Sequence, residues 1–197
     1  MRLVLASGSP RRRILLETLR LDFDVEAAEV DETRLPDEPP GVYVERVARA
    51  KAGSVAGPDR LVVAADTTVV HEGRVMGKPA HPEEARSILR RLQGETHEVF
   101  TGLAVAWWEG SPSIQALVDV TMVEMVPMTE GEIVDYVASG EPMDKAGAYA
   151  LQGIGGVYVR RVIGSPFTVI GLPIHLLDRL MSAVGARLSQ FRLPDRG

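Results

Sequence analysis

Leu61-Val62-Val63-Ala64-Ala65 is an unbroken apolar run of strand length that ends on an acid, Asp66, before Thr67-Thr68 and a second apolar pair, Val69-Val70. Such a run belongs inside a fold. A carboxylate carried in with it is costly unless it meets a cation, a metal or a set of hydrogen-bond donors. Asp66 is therefore the most informative single acid in the chain, and any structure must supply its partner.

A second constraint lies near the start. Leu3-Val4-Leu5 reads as a short buried strand, Leu15, Leu16 and Leu19 fall at helical spacing, and Ala6-Ser7-Gly8-Ser9-Pro10-Arg11-Arg12-Arg13 joins the two. Ser9 is the expected N-cap, with Pro10 at the first helical position. A helix start already presents unpaired N–H groups and the positive end of the macrodipole, so three arginines there call for an anion. The segment fits a phosphate-binding strand-to-helix turn; the alternative is a solvated basic first turn.

The remaining chain alternates helix and strand signals. Phe23–Val25 forms a short strand, the acidic segment Glu29–Thr33 and the proline-rich Leu35–Pro40 a loop, and Val42–Ala52 a helix. Lys51 shares a stripe with Val44, so it points either inward or, as a snorkelling side chain, along the surface. Glu72-Gly73 marks a hairpin turn leading through Val75-Met76 to Gly77-Lys78-Pro79. Pro82–Leu92 is an amphipathic helix, Val99–Trp108 and Ile114–Val126 an antiparallel pair, and Thr129–Glu132 a capping box opening a helix through Val137. Trp107 and Trp108, on opposite faces of their strand, are expected to be partly buried in the core. Val157–Val162 and Phe167–Ile170 read as another hairpin, Pro173–Val184 as a last helix, and residues 186–197 as a loosely attached tail; residues 1–185 fit one domain or one compact two-lobed unit.

Composition removes several function classes. A net charge of −5 and a pI near 5.4 argue against nucleic-acid coating and against binding an anionic membrane. The absence of cysteine excludes disulfides, thiolate metal sites and cysteine nucleophiles. No apolar run reaches membrane-spanning length and no signal-peptide stretch opens the chain, so the expected location is cytoplasmic. The histidines are scattered, with no zinc-site spacing, and there is neither a P-loop nor a dinucleotide fingerprint. What remains is a phosphate-seeking turn, carboxylates at Asp31, Glu32 and Asp66, and lysines at Lys51 and Lys78. Acids facing a polyphosphate are useful when a divalent, oxygen-seeking cation bridges them to it, which points to metal-assisted cleavage of a phosphoric anhydride by water.

The motifs Ala6–Arg12, Ala64–Thr67, Gly77–Pro79, Thr101–Leu103, Ser139–Pro142, Asp144–Tyr149, Gln152-Gly153 and Gly171–Pro173 resemble, in order, those of the Maf family of nucleotide pyrophosphatases. The resemblance runs from Leu3 to about Val184. It implies an α/β fold similar to the inosine triphosphate pyrophosphatases: an elongated mixed β-sheet with flanking helices and two lobes around a nucleotide cleft. It also implies hydrolysis of a nucleoside triphosphate to the monophosphate and pyrophosphate with a divalent cation, Mg²⁺ or Mn²⁺. By position, Asp66 matches the proton acceptor and a metal-linked acid, Glu32 a second metal-linked acid, Ser7, Arg11, Arg12 and Lys51 phosphate-facing groups, and Lys78 a substrate-binding lysine of the cleft. Arg11, Thr67 and Gln152 match positions tied to substrate choice in the dTTP/UTP branch, which the wording Gly147–Gln152 favours over the 7-methyl-GTP branch. Asp31 precedes Glu32, and either acid could serve. The alternatives are a nucleotide-sensing regulator of cell division with little turnover, and a pyrophosphatase preferring 7-methyl-GTP or modified purine nucleotides. A homodimer through the long strands stands beside a monomer.

Overall fold

The computed structural model describes residues 1–194. Strand β1 (Arg2–Leu5) buries Leu3, Val4 and Leu5 almost completely, as a strand covered on both faces must. Helix α1 (Pro10–Thr18) follows, with Ser9 at the N-cap position, and leads to β2 (Asp24–Val25), parallel to β1. Helix α2 (Pro40–Val55) starts two residues earlier than expected, because Pro40 occupies the first helical position, where its missing N–H costs nothing. Its buried stripe is Val44, Val47, Ala48, Lys51, Ala52 and Val55.

The apolar run beginning at Leu61 continues without a break through Asp66, forming β3 (Arg60–His71). It lies parallel to β1, with Leu5 opposite Val63. Glu72 and Gly73 both take positive φ, 49° and 74°, as a two-residue hairpin turn requires, and β4 (Arg74–Met76) returns antiparallel along β3. Helix α3 (Pro82–Leu92) then precedes β5 (Thr96–Trp108) and β6 (Pro112–Met125), which are sheet neighbours. Three residues join them, too few for anything but an antiparallel hairpin. Trp107 is half-buried as expected, whereas Trp108 is exposed.

Helix α4 (Glu130–Ala138) opens on the expected capping box, with Thr129 and Glu132 hydrogen-bonded reciprocally. Short 3₁₀ turns then lead to β7 (Val159–Ile163), antiparallel to β6. The second half of the hairpin expected at Phe167–Ile170 is instead a short helix, α5 (Pro166–Ile170). Gly164, at φ 130°, turns the chain off the sheet, the Thr121 hydroxyl bonds both backbone groups of Ser165, and Pro166 cannot donate to a ladder. Helix α6 (Ile174–Ala183) buries Leu176, Leu177 and Leu180.

The sheet order is β2-β1-β3-β5-β6-β7, with β4 paired to β3, so parallel and antiparallel strands are mixed and helices flank them. Two compact units emerge: residues 1–66, 101–119 and 171–197, and residues 67–100 and 120–170. In the first, Ala6 just past β1 and small residues of β3 and β5 (Ala64, Ala104, Ala106) meet Ala48 and Ala52 of α2. The second packs Ile88, Leu89 and Leu92 of α3 with Ile133, Tyr136 and Val137 of α4. The segment after α6 is tied down: Asp22 donates to Phe191 O at 2.6 Å and Leu193 to Arg20 O at 2.8 Å. Of the expected tail, residues 195–197 lie outside the described residues. No helix among the described residues is long and apolar enough to cross a membrane.

Candidate active site

The parallel pairing of β1 with β3 carries two loaded segments in the same direction. Ser7 lies two residues beyond Leu5, the end of β1, and Asp66 three residues beyond Val63, so both stand past the Leu5–Val63 pair. In open α/β sheets this carboxyl end of parallel strands is where ligands bind. Ser7, Arg12, Lys51 and Asp66 are all buried there, with exposures of 6–9%.

Ser9 holds the N-cap position but makes no side-chain cap; its N–H donates to the Ser7 hydroxyl at 3.2 Å. The same hydroxyl accepts from Arg12 Nη1 at 3.0 Å, and Arg12 Nε donates to the carbonyl of Gly171 at 2.8 Å. Burial pulls the Arg12 guanidinium below its ordinary value; the Asp66 carboxylate pulls the other way, Arg11 adds to the lowering and Glu32 opposes it. Arg11 is half-buried. Arg13 points outward, exposed and paired with Glu17 at 2.7 Å.

Lys51 does not snorkel. From the buried stripe of α2 its Nζ reaches Asp66 Oδ1 at 2.8 Å and Glu32 Oε1 at 2.8 Å. The partner that Asp66 requires is thus a lysine, which joins it to the acidic loop. Of the adjacent acids, Glu32 meets Lys51, whereas Asp31 accepts from the Thr33 N–H at 2.8 Å in a local turn. Arg12 and Lys51 therefore stand with two carboxylates, and Arg11 lies near enough to Arg12 for the two positive charges to be felt.

Three residues around this cluster escaped the sequence reading. Tyr43 O–H donates to the Glu32 carbonyl at 3.1 Å, and its phenol is pushed up by burial and by the Asp66 and Glu32 charges. Arg46 forks onto Glu38 at 2.7 and 2.9 Å. Glu38 is buried despite its place in a proline-rich loop, and the Arg46 hydrogen bonds hold its carboxyl down to about 2. The available signal was the i, i+3 spacing of Tyr43 and Arg46, on the side of α2 that faces the loop.

Thr67 follows Asp66 in β3 and is half-buried; it belongs to the second unit, as do Lys78 and Gln152, both exposed. Lys78 sits on the bend after β4, next to Gly77, whose carbonyl accepts from Gly147 N–H at 3.2 Å. Gln152 lies on a turn held by Glu141 of the Ser139–Pro142 motif. That carboxylate accepts from Tyr136 O–H at 2.8 Å, Ile154 N–H at 2.9 Å and Gly155 N–H at 2.8 Å. Gly153, beside Gln152, has φ 130°, and a Cβ there would meet Glu141 Oε2 at 2.3 Å. Among the described residues no group of three or more acids and histidines could hold a metal by itself.

Residues 2–184 match the family model described as Maf-like protein. The dTTP/UTP pyrophosphatase of Anaeromyxobacter sp. (strain Fw109-5) is 50% identical over 186 residues, covering 93% of this chain and 90% of that protein. The dTTP/UTP pyrophosphatase of Yersinia pestis bv. Antiqua is 47% identical over 183 residues, covering 91% of each. Among solved structures, the Staphylococcus aureus Ham1 protein aligns with a TM-score of 0.52 at 15% identity, over 93% of this chain and 100% of that one, a likeness of fold alone. The matched span contains the Ser7 turn, the Lys51 helix and the Asp66 strand, and with them the whole buried charge cluster: the chain belongs to the Maf-like family.

Proposed function

We propose that this chain is a nucleoside triphosphate pyrophosphatase acting on dTTP and UTP in the cytoplasm, with residues 1–185 as the catalytic domain. The observation that carries the reading is the buried Lys51 ammonium shared by Asp66 and Glu32 beside the Ser7–Arg12 turn. A site that only held phosphate would gain nothing from two acids at its edge. The names of relatives about half identical over nearly the whole chain support the choice of substrate.

In this reading Ser7, Arg11, Arg12, Lys51 and Lys78 bind the triphosphate, and Asp66 accepts the proton of a water molecule attacking the α-phosphorus. The new P–O bond forms as the α,β-bridging P–O bond breaks, and pyrophosphate leaves with the electron pair. Arg12 is fixed in advance by Gly171 and Ser7, so the protein contributes mainly positioning and charge neutralisation. Arg11, Thr67 and Gln152 select the base; a glutamine amide offers a pyrimidine edge both a donor and an acceptor.

Glu32 and Asp66 are hard oxygen donors that already share the Lys51 ammonium, and they are the residues that would hold a Mg²⁺ or Mn²⁺ ion. Such an ion would neutralise developing charge on the phosphates. The test is pyrophosphate release from dTTP, UTP, 7-methyl-GTP and modified purine nucleotides, with and without Mg²⁺ or Mn²⁺. Turnover of dTTP and UTP is expected, and Asp66→Asn should keep nucleotide binding while losing at least about a hundredfold in kcat. An unchanged rate in that variant removes Asp66 from the chemistry. Tight binding with only trace turnover makes the protein a nucleotide sensor instead.

A further inference from the structure

Residues 31–37 are exposed throughout, so the loop that carries Glu32 has little apolar burial to fix it. What fixes it is polar and comes from α2. Arg46 forks onto the Glu38 carboxylate, and its Nη2 also reaches the carbonyl of Thr33 at 2.9 Å. Tyr43, one turn earlier, donates to the carbonyl of Glu32, and the Arg46 guanidinium lies 5.8 Å from the centre of the Tyr43 ring. Within the loop, Glu38 Oε2 accepts from Leu35 N–H at 3.1 Å and Arg34 donates twice to the Glu38 carbonyl. The consecutive carbonyls of Glu32 and Thr33 are thus gripped by the same helix that presents Lys51 to the Glu32 carboxylate.

We propose that Glu38, Arg46 and Tyr43 are positioning residues: a clamp that holds Glu32 against Lys51 and acts on the reaction only through Glu32. The proposal rests on the hydrolytic reading above for what Glu32 does. A staple serving stability alone would be complete with the Glu38–Arg46 fork. The remaining two donors go instead to the backbone of the acid and of its neighbour, which sets where the Glu32 side chain begins. A planar, two-pronged guanidinium fixes orientation as well as distance, and a lysine could not replace it.

The experiment uses the full chain with ¹⁵N-labelled lysine. The lysines are Lys51, Lys78 and Lys145, so the ammonium signals are few and the last two serve as internal controls. In Glu38→Gln the Lys51 signal should shift and lose protection from exchange while the other two stay in place. Turnover of dTTP should fall about tenfold with KM changed less than about twofold. In a Glu32→Gln background, Glu38→Gln should change turnover by less than about twofold. An unaltered Lys51 signal, or the same proportionate loss in both backgrounds, overturns the clamp. If Glu38→Gln does not fold, Tyr43→Phe removes one O–H and leaves the fork. It should lower turnover about threefold with Glu32 present and not at all without it, and equal losses overturn the proposal. Wild-type turnover in Glu32→Gln would instead overturn the role given to Glu32, with the Lys51 signal still reporting on the clamp by itself.

Discussion

Arg11, Arg12 and Arg13 are adjacent in sequence and have three different surroundings. Arg12 is buried and bonded to Ser7 and Gly171, Arg11 is half-buried, and Arg13 is exposed on Glu17. Their substitutions should separate accordingly. Arg11→Ala should weaken dTTP binding by about 1–3 kcal/mol, the range for a charge-assisted contact, and lower the unfolding midpoint less than Arg12→Ala does. Arg12→Ala should lower both, because it also leaves the Gly171 carbonyl without a buried donor. Arg13→Ala should change neither by more than about 0.5 kcal/mol. Calorimetric titration and urea unfolding read the two quantities, and a stable Arg12→Ala would show that its role in the fold is dispensable. The sequence marked this turn as a place for an anion. The resemblance set Arg11 and Arg12 apart from Arg13; that Arg12 is the buried one of the two depends on how α1 meets the chain at Gly171.

At the scale of elements, α2 and β5 determine how closely the site can be built. A Cβ on Gly102 of β5 would lie 2.3 Å from the carbonyl oxygen of Val44 and 2.8 Å from the Glu45 nitrogen, both backbone atoms of α2 that cannot rotate away. Gly102→Ala should therefore cost about 3 kcal/mol in urea unfolding, at the upper end of overpacking. It should also reduce turnover, since α2 carries Tyr43, Arg46 and Lys51. Wild-type stability would mean that the helix has room to retreat. The helix itself was legible: its apolar stripe included Lys51 but left an inward and a snorkelling side chain equally open, and burial beside Asp66 decides for inward. The Phe167–Ile170 run was misleading because aromatic and β-branched residues suit a strand. There the turn at Gly164 and the proline at 166 outweigh propensity.

At the scale of the molecule, the two units carry different acid sensitivities. In the second, His97 is buried with Nε2 2.8 Å from the Tyr149 hydroxyl and no partner at Nδ1 among the described residues. Burial, helped by His71, pushes its pKa down from 6.5 to about 4. The unfolded chain then binds the proton more readily than the folded one between those values, so stability falls as pH drops from 6.5 toward 4. Between pH 7.5 and 5 the loss should be about 2 kcal/mol, and His97→Gln should flatten it; an equal slope in that variant would assign the effect elsewhere. In the first unit, the Glu38 carboxyl lies below its usual range, so its contribution is present above pH 4.5 and lost only as pH falls toward 2. By itself, the sequence determined that Asp66 would enter the interior needing a partner, that Lys51 shared the apolar stripe of its helix, and that the Ser7–Arg13 turn opened a helix. Those features are written in periodicity and capping, which act over a few residues. Only the tertiary structure decided that the partner of Asp66 is Lys51, that Glu32 rather than Asp31 shares it, and that Gly171, far along the chain, holds Arg12. Such pairings depend on strand register and on the reach of long side chains between distant segments, and no local pattern encodes either.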